Sequence, residues 1–172
     1  MSQAETLKTA ATAARALRRA GGGAILLALV VIVLGAFTRL ADAGLGCPDW
    51  PGCYGFVTVP DAPDELMLAG QRYPDSPVEH AKAWAEMIHR YAAATLGLVI
   101  LTLAALTWRR PALVRARRIY ALAAVMVVIQ GLFGMWTVTL KLWPQVVTAH
   151  LLGGSRPSAC WCWAMSACAS RW

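Results

Sequence analysis

Four apolar blocks, separated by segments of alternating charge sign, constrain this chain more than any other feature. The first runs from about Gly22 to Thr38 and includes AILLALVVIVLGAF. The second covers about Trp84 to Trp108, the third about Ile119 to Leu140, and the fourth about Val146 to Gly154 and onward. A helix rises ~1.5 Å per residue, so roughly 20 residues cross ~30 Å of hydrocarbon. The first three blocks meet or approach that length. In lipid a single segment can satisfy its backbone groups internally only as a helix. Trp84, Trp108, Trp136 and Trp143 fall near block ends, as an interfacial belt requires. The expected fold is therefore an all-α polytopic membrane bundle of about four transmembrane helices.

Composition agrees. The 172 residues are 58% hydrophobic and only 15% charged, where a soluble domain carries about a quarter charged. The net charge of +7 could suggest a nucleic-acid partner. The basic residues flank apolar blocks, however, and no basic stripe interleaved with aromatics is present, so no nucleic-acid partner is expected.

Charge also predicts orientation. The tail at 1–21 holds Lys8, Arg15, Arg18 and Arg19 against Glu5. RRPALVRARR, between the second and third blocks, has five arginines and no acid. The segment 39–83 is acidic: Asp42, Asp49, Asp61, Asp64, Glu65, Asp75 and Glu79 oppose Arg39, Arg72 and Lys82. The positive-inside rule puts the N-terminus in the cytoplasm and loop 39–83 outside. A cleaved signal peptide competes, with Ala41-Asp42-Ala43 as the cleavage site and Arg18-Arg19 as a twin-arginine pair.

Loop 39–83 opens with TRLADAGLGCPDWPGCYG. Pro48, Pro51 and Gly52 favour turns that let Cys47 and Cys53 approach, and an oxidising compartment would keep them paired. Two free thiols are the alternative. A pair could be a loop staple or redox-active. Zinc is disfavoured, because the spacing is wrong and no further ligand flanks the pair. Arg39, where the first block meets the outside, either snorkels or pairs with an anion such as a haem propionate.

The chain has three histidines. His80 falls before the second block and is expected to be solvated. His89 and His150 each fall about one turn inside a block running inward, so their depths match. Ionisable groups in a span usually face the bundle interior, and two imidazoles on separate helices can hold a haem from both sides. Ordinary hydrogen-bonded packing is the alternative. Gln130, Gly131 and Gly134 in IQGLFGMW leave room for a helix or a flat ring. Glu86 shares a helical face with His89. It could move a proton or tune a ligand, or it could be hydrated at the interface. Di-iron chemistry needs a second Glu-x-x-His, which is missing.

Together Thr38-Arg39-Leu40, AGLGCPDWPGCYG, EMIHR and IQGLFGMWTVTLKLWPQVVTAHLLGG resemble, in order and spacing, the first half of bacterial haem A synthase. The resemblance runs from about Gly35 to Gly154. It implies an eight-helix protein of two similar four-helix halves in the bacterial inner membrane. It implies oxidation of the C8 methyl of haem O to a formyl group, giving haem A for cytochrome oxidases. Haem O would be the substrate in this half, with a haem b cofactor in the second. Haem O synthase, an electron donor and membrane lipid would be partners. Carried over by motif, His89 and His150 would be the axial iron ligands, Glu86 the acid linked to activity, and Cys47 and Cys53 the loop disulfide. Two readings compete: a non-enzymatic bis-histidine bundle, and a thiol–disulfide oxidase using the cysteine pair.

The resemblance is lost at SRPSACWCWAMSACASRW, residues 155–172. Three of the five cysteines and three of the eight tryptophans crowd there. Arg156 and Pro157 would disrupt the fourth span. With GC-rich codons, reading one frame over turns residues 154–163 into Leu-Ala-Thr-Leu-Gly-Leu-Leu-Val-Leu, a membrane-like run. The expectation is a frameshifted tail on an N-terminal half that makes no haem A alone. A natural half that pairs with another half is the alternative.

Overall fold

The computed structural model describes residues 3–109 and 114–155 and is helical throughout its long elements. The helices are α1 (Gln3–Leu40), α2 (Pro63–Arg72), α3 (His80–Trp108), α4 (Val114–Thr139) and α5 (144–155). Three helical segments are long and apolar enough to cross a membrane: Ala11–Leu40, His80–Trp108 and Ala116–Thr139. At ~1.5 Å per residue each exceeds the ~30 Å hydrocarbon core.

The helices outrun the apolar blocks. α1 begins at Gln3 rather than near Gly22, and α3 at His80 rather than Trp84. Hydropathy marks the lipid slab, whereas helix formation depends on backbone bonds that continue beyond it. The alanine- and arginine-rich stretch before Gly22 has high helix propensity and extends the first turn backward. Within the described residues the fourth block is helical up to Ser155. Arg156, Pro157 and the rest of the expected tail lie outside the described residues.

α3 is the central element and packs against both α1 and α4. Ala24, Leu96, Ile100 and Ala123 form the buried contact, flanked by Leu27, Ala28, Val31, Val99, Ala124 and Val127. Small and β-branched residues at that seam let the backbones approach closely, which drives association where lipid is as apolar as the side chains. Trp84, Trp108, Trp136 and Trp143 are all surface-exposed, 39% or more.

The segment between α1 and α3 is folded, with its own core of Cys47, Cys53, Tyr54, Val59, Ala69, Ala83 and Met87. Cys47 and Cys53 form a disulfide, with an S–S distance of 1.98 Å. Asp49 holds the turn behind it: its carboxylate accepts from Tyr54 N at 2.6 Å and Gly55 N at 2.7 Å. Tyr54 and Gly55 both have positive φ, 56° and 83°, a conformation that exposes successive amides to one acceptor. The Tyr54 hydroxyl donates to Pro77 O at 3.0 Å, and the ring meets Tyr73 edge-on at 5.6 Å. Burial raises the Tyr54 phenol above its ordinary value, and Glu79, Asp49 and Glu86 add to the effect. His80, expected in a loop, is the first residue of α3. It stays exposed, 3.9 Å from Asp61.

Candidate functional site

α1 and α4 end in the same way. In α1, Ala43 N donates to Thr38 O (2.9 Å) and Asp42 N to Arg39 O (3.4 Å). In α4, Leu142 N donates to Thr137 O (2.7 Å) and Lys141 N to Val138 O (3.0 Å). Both are Schellman motifs, closed by non-glycine residues in the left-handed region, Asp42 (φ 50°) and Lys141 (φ 48°). Each helix carries a glycine seven positions before that residue, Gly35 before Asp42 and Gly134 before Lys141. Gly44 and Leu142 touch where the two helix ends meet, 3.2 Å from an added Cβ.

Each glycine seats one imidazole from another helix, Gly35 that of His89 on α3 and Gly134 that of His150 on α5. A Cβ on Gly35 would lie 2.8 Å from His89 Cε1 and 3.3 Å from both ring nitrogens. A Cβ on Gly134 would lie 3.3 Å from His150 Cε1 and 3.8 Å from Nε2. The missing side chain at each glycine opens the groove that the ring occupies.

His89, His150 and Gly134, all expected from the sequence, come together in the structure. Gly35 carries no such expectation, because its partner lies on another helix far along the chain. Gly131, expected to make room for a ring, has nothing within 4 Å of an added Cβ.

Nδ1 of His89 and Nδ1 of His150 are buried without a hydrogen-bond partner. Buried nitrogens without a protein partner are costly, so each is a candidate ligand atom. Among the described residues no three His, Cys, Asp or Glu side chains converge to hold a bare metal ion. An iron held by these two imidazoles must therefore bring its own equatorial ligands, which a porphyrin does. Two neutral imidazoles are a donor set that a haem iron takes, so the residue types present fit that group.

Glu86 is neither hydrated nor turned toward His89. It is 4% exposed. Its Oε2 accepts from Cys47 N at 2.9 Å, and its Oε1 pairs with Arg90 Nη2 at 2.5 Å. Arg90, not singled out as a site residue from the sequence, is the hub. Its Nη1 donates to Asp49 O at 2.9 Å, Pro51 O at 3.4 Å and Gly52 O. One buried ion pair thus ties the disulfide loop to the helix that carries His89. The i,i+4 spacing of Glu86 and Arg90 in EMIHR is the available signal. Gly46 completes the contact: an added Cβ would meet the Lys82 carbonyl carbon at 2.5 Å and Ala83 N at 2.7 Å. Arg39, in the last turn of α1, is exposed and makes no ion pair among the described residues.

The fold is that of a helical membrane protein, with two imidazoles seated on glycines beneath a disulfide-stapled loop. Comparison narrows the class. The profile of the COX15-CtaA family, described as cytochrome oxidase assembly protein, matches residues 19–171. A haem A synthase of Shewanella oneidensis is 51% identical over 126 residues, covering 73% of this chain and 38% of the relative. A haem A synthase of Shouchella clausii is 28% identical over 138 residues, 79% of this chain and 40% of the relative. A protoheme IX farnesyltransferase of Halobacterium salinarum is 31% identical over 107 residues, 62% of this chain and 20% of that protein. The chain belongs to the cytochrome oxidase assembly protein family. It spans about two-fifths of the length of the haem A synthases it matches. No solved structure matches it.

Proposed function

We propose that this chain supplies the substrate-binding half-bundle of a haem A synthase, an oxidoreductase converting the C8 methyl of haem O to a formyl group. The observation that carries the reading is the pair of glycine-seated imidazoles, His89 and His150, each with a buried, unpartnered Nδ1. Bound there, the haem iron supplies the redox chemistry. The chain's own residues hold and orient it. His89 on α3 and His150 on α5 would hold the group, and Gly35 and Gly134 leave the room that each ring occupies. Arg39 takes a propionate at the end of α1, where a cation at the membrane edge is least costly. Glu86 acts through the loop: with Arg90 it keeps the disulfide segment closed over the outer end of α3, which excludes water. A haem b cofactor belongs to the second half that the family resemblance implies.

Orientation follows the arginines: N-terminus in the cytoplasm, loop 39–83 outside, in the bacterial inner membrane. A haem farnesyltransferase is the source of substrate. The match to part of a Halobacterium protein of that name supports it, since a segment like this one occurs within a farnesylating chain.

The test is the haem that co-purifies from a host that makes haem O and no haem A. Near-stoichiometric haem O or haem A, lost in His89→Ala and in His150→Ala, supports the reading. Haem retained at wild-type level in either variant refutes it. One observation favours a second reading, a bis-histidine bundle without catalysis: Glu86 is fully engaged by Cys47 and Arg90. Glu86→Gln separates the two. The comparison is made in a full-length haem A synthase carrying this half: loss of haem A formation with haem content intact supports the enzymatic reading, and unchanged haem A formation supports the simple binder.

A further inference from the structure

α1 and α4 share a glycine seat, a threonine one turn later and a left-handed closing residue, but they differ one turn before the seat. α1 has Val31 there and α4 has Gln130. A primary amide in an otherwise apolar span is costly unless its groups are satisfied within the protein. Gln130 Nε2 donates to the backbone carbonyl of His150 at 2.9 Å. That bond ties a side chain of α4 to the backbone of the residue that carries the second imidazole.

The fit around the amide is close. A Cβ on Gly153 would lie 2.5 Å from Gln130 Oε1, and one on Gly154 would lie 3.1 Å from Nε2. Two successive glycines in α5 thus leave just the space that the amide occupies. Leu151 and Leu152, beside this pair of glycines, are exposed and make no such polar contact with α4 among the described residues. α3 needs no such device, because Arg90 and Glu86 already anchor it beside His89.

We propose that Gln130 is a positioning residue for His150, its amide fixing the rotation and register of α5 on α4 and so the plane in which the second imidazole is presented. The proposal rests on the reading of His89 and His150 as axial ligands. A shape-matched apolar side chain would preserve packing but lose the lock. The helix could then turn about its axis and the ring would leave its plane. The ligand would remain, held less well. Loss of an outer-shell partner of a metal ligand typically weakens binding roughly tenfold to a hundredfold.

The test compares wild type, Gln130→Leu, Gly153→Ala and His150→Ala, each purified in detergent and titrated with haem. Electron paramagnetic resonance of the ferric form reports the relative orientation of the two imidazole planes. Gln130→Leu is expected to keep the α-helical content and bind haem roughly tenfold or more weakly, with the largest g value shifted. Gly153→Ala keeps the glutamine but pushes its amide away, and it is expected to shift the same signal in the same sense. If Gln130→Leu does not accumulate, Gly153→Ala decides alone. Wild-type g values and affinity in Gly153→Ala and in any Gln130→Leu obtained, while His150→Ala loses low-spin haem, overturn this proposal and leave the axial pair standing. Low-spin haem retained in His150→Ala overturns the axial pair itself and this proposal with it.

Discussion

Removing Arg90 tests how the disulfide loop is held to the bundle. Its side chain is 11% exposed and that of Glu86 is 5% exposed, so the pair is largely out of water. Arg90→Met preserves much of the stem volume and leaves the Glu86 carboxylate buried opposite one amide, Cys47 N. Breaking a buried pair on one side costs about 3–5 kcal/mol. The lost donations to Asp49, Pro51 and Gly52 carbonyls are part of that cost, not an addition to it, because loop carbonyls can turn to solvent. Glu86→Gln costs less, about 1–3 kcal/mol, since the amide still accepts from Cys47 N. The double variant removes both charges, so its loss should fall well short of the summed single losses, by roughly 1–3 kcal/mol of coupling. Equilibrium unfolding in mixed micelles, run on the wild type, both singles and the double, gives this cycle. A coupling below about 0.5 kcal/mol would mean the pair is screened and the loop is held by its apolar core instead.

Other expectations follow from the same geometry. Gly35→Leu and Gly134→Leu should each displace an imidazole and abolish low-spin haem, while costing about 1–3 kcal/mol of overpacking; haem titration with unfolding on the same samples checks both. Gly46→Ala forces the loop off the first turn of α3 and should speed proteolysis between α1 and α3, read by limited digestion. Tyr54 keeps its proton to higher pH in the folded loop than in the unfolded chain. Its contribution is therefore fully present below about pH 10 and is lost as pH rises through the folded value. Tyr54→Phe should flatten that alkaline loss, measured by loop proteolysis against pH. Single cysteines placed at Val57 or Thr58 and in the 1–21 tail should be labelled by impermeant reagents only from opposite sides of the membrane, which tests the charge-based orientation.

The spans are readable because lipid leaves the backbone one local solution, and hydropathy reports where it applies. Helix ends are not readable to the same degree, since residues 3–21 are helical by propensity and contacts rather than by hydropathy. His89 and His150 stand out because an imidazole in a span is rare and needs a reason. Their seats are half visible: Gly134 lies in a glycine-rich stretch, but Gly35 gives no local sign that an imidazole from α3 will press on it. Arg90 escapes notice because a basic residue one turn inside a span reads as a flank. Its role is set by three loop carbonyls that only the fold assembles. Glu86 is conspicuous in sequence, but its direction depends on Cys47 N, far off along the chain, so spacing to His89 misjudges its neighbour.

The most direct test of the haem site is the optical spectrum of the detergent-purified chain reconstituted with haem, with His89→Ala and His150→Ala alongside. Axial ligation by both imidazoles predicts a low-spin spectrum in the wild type that becomes high-spin or disappears in each variant. A wild type that binds no haem, or variants that keep the low-spin spectrum, would contradict it.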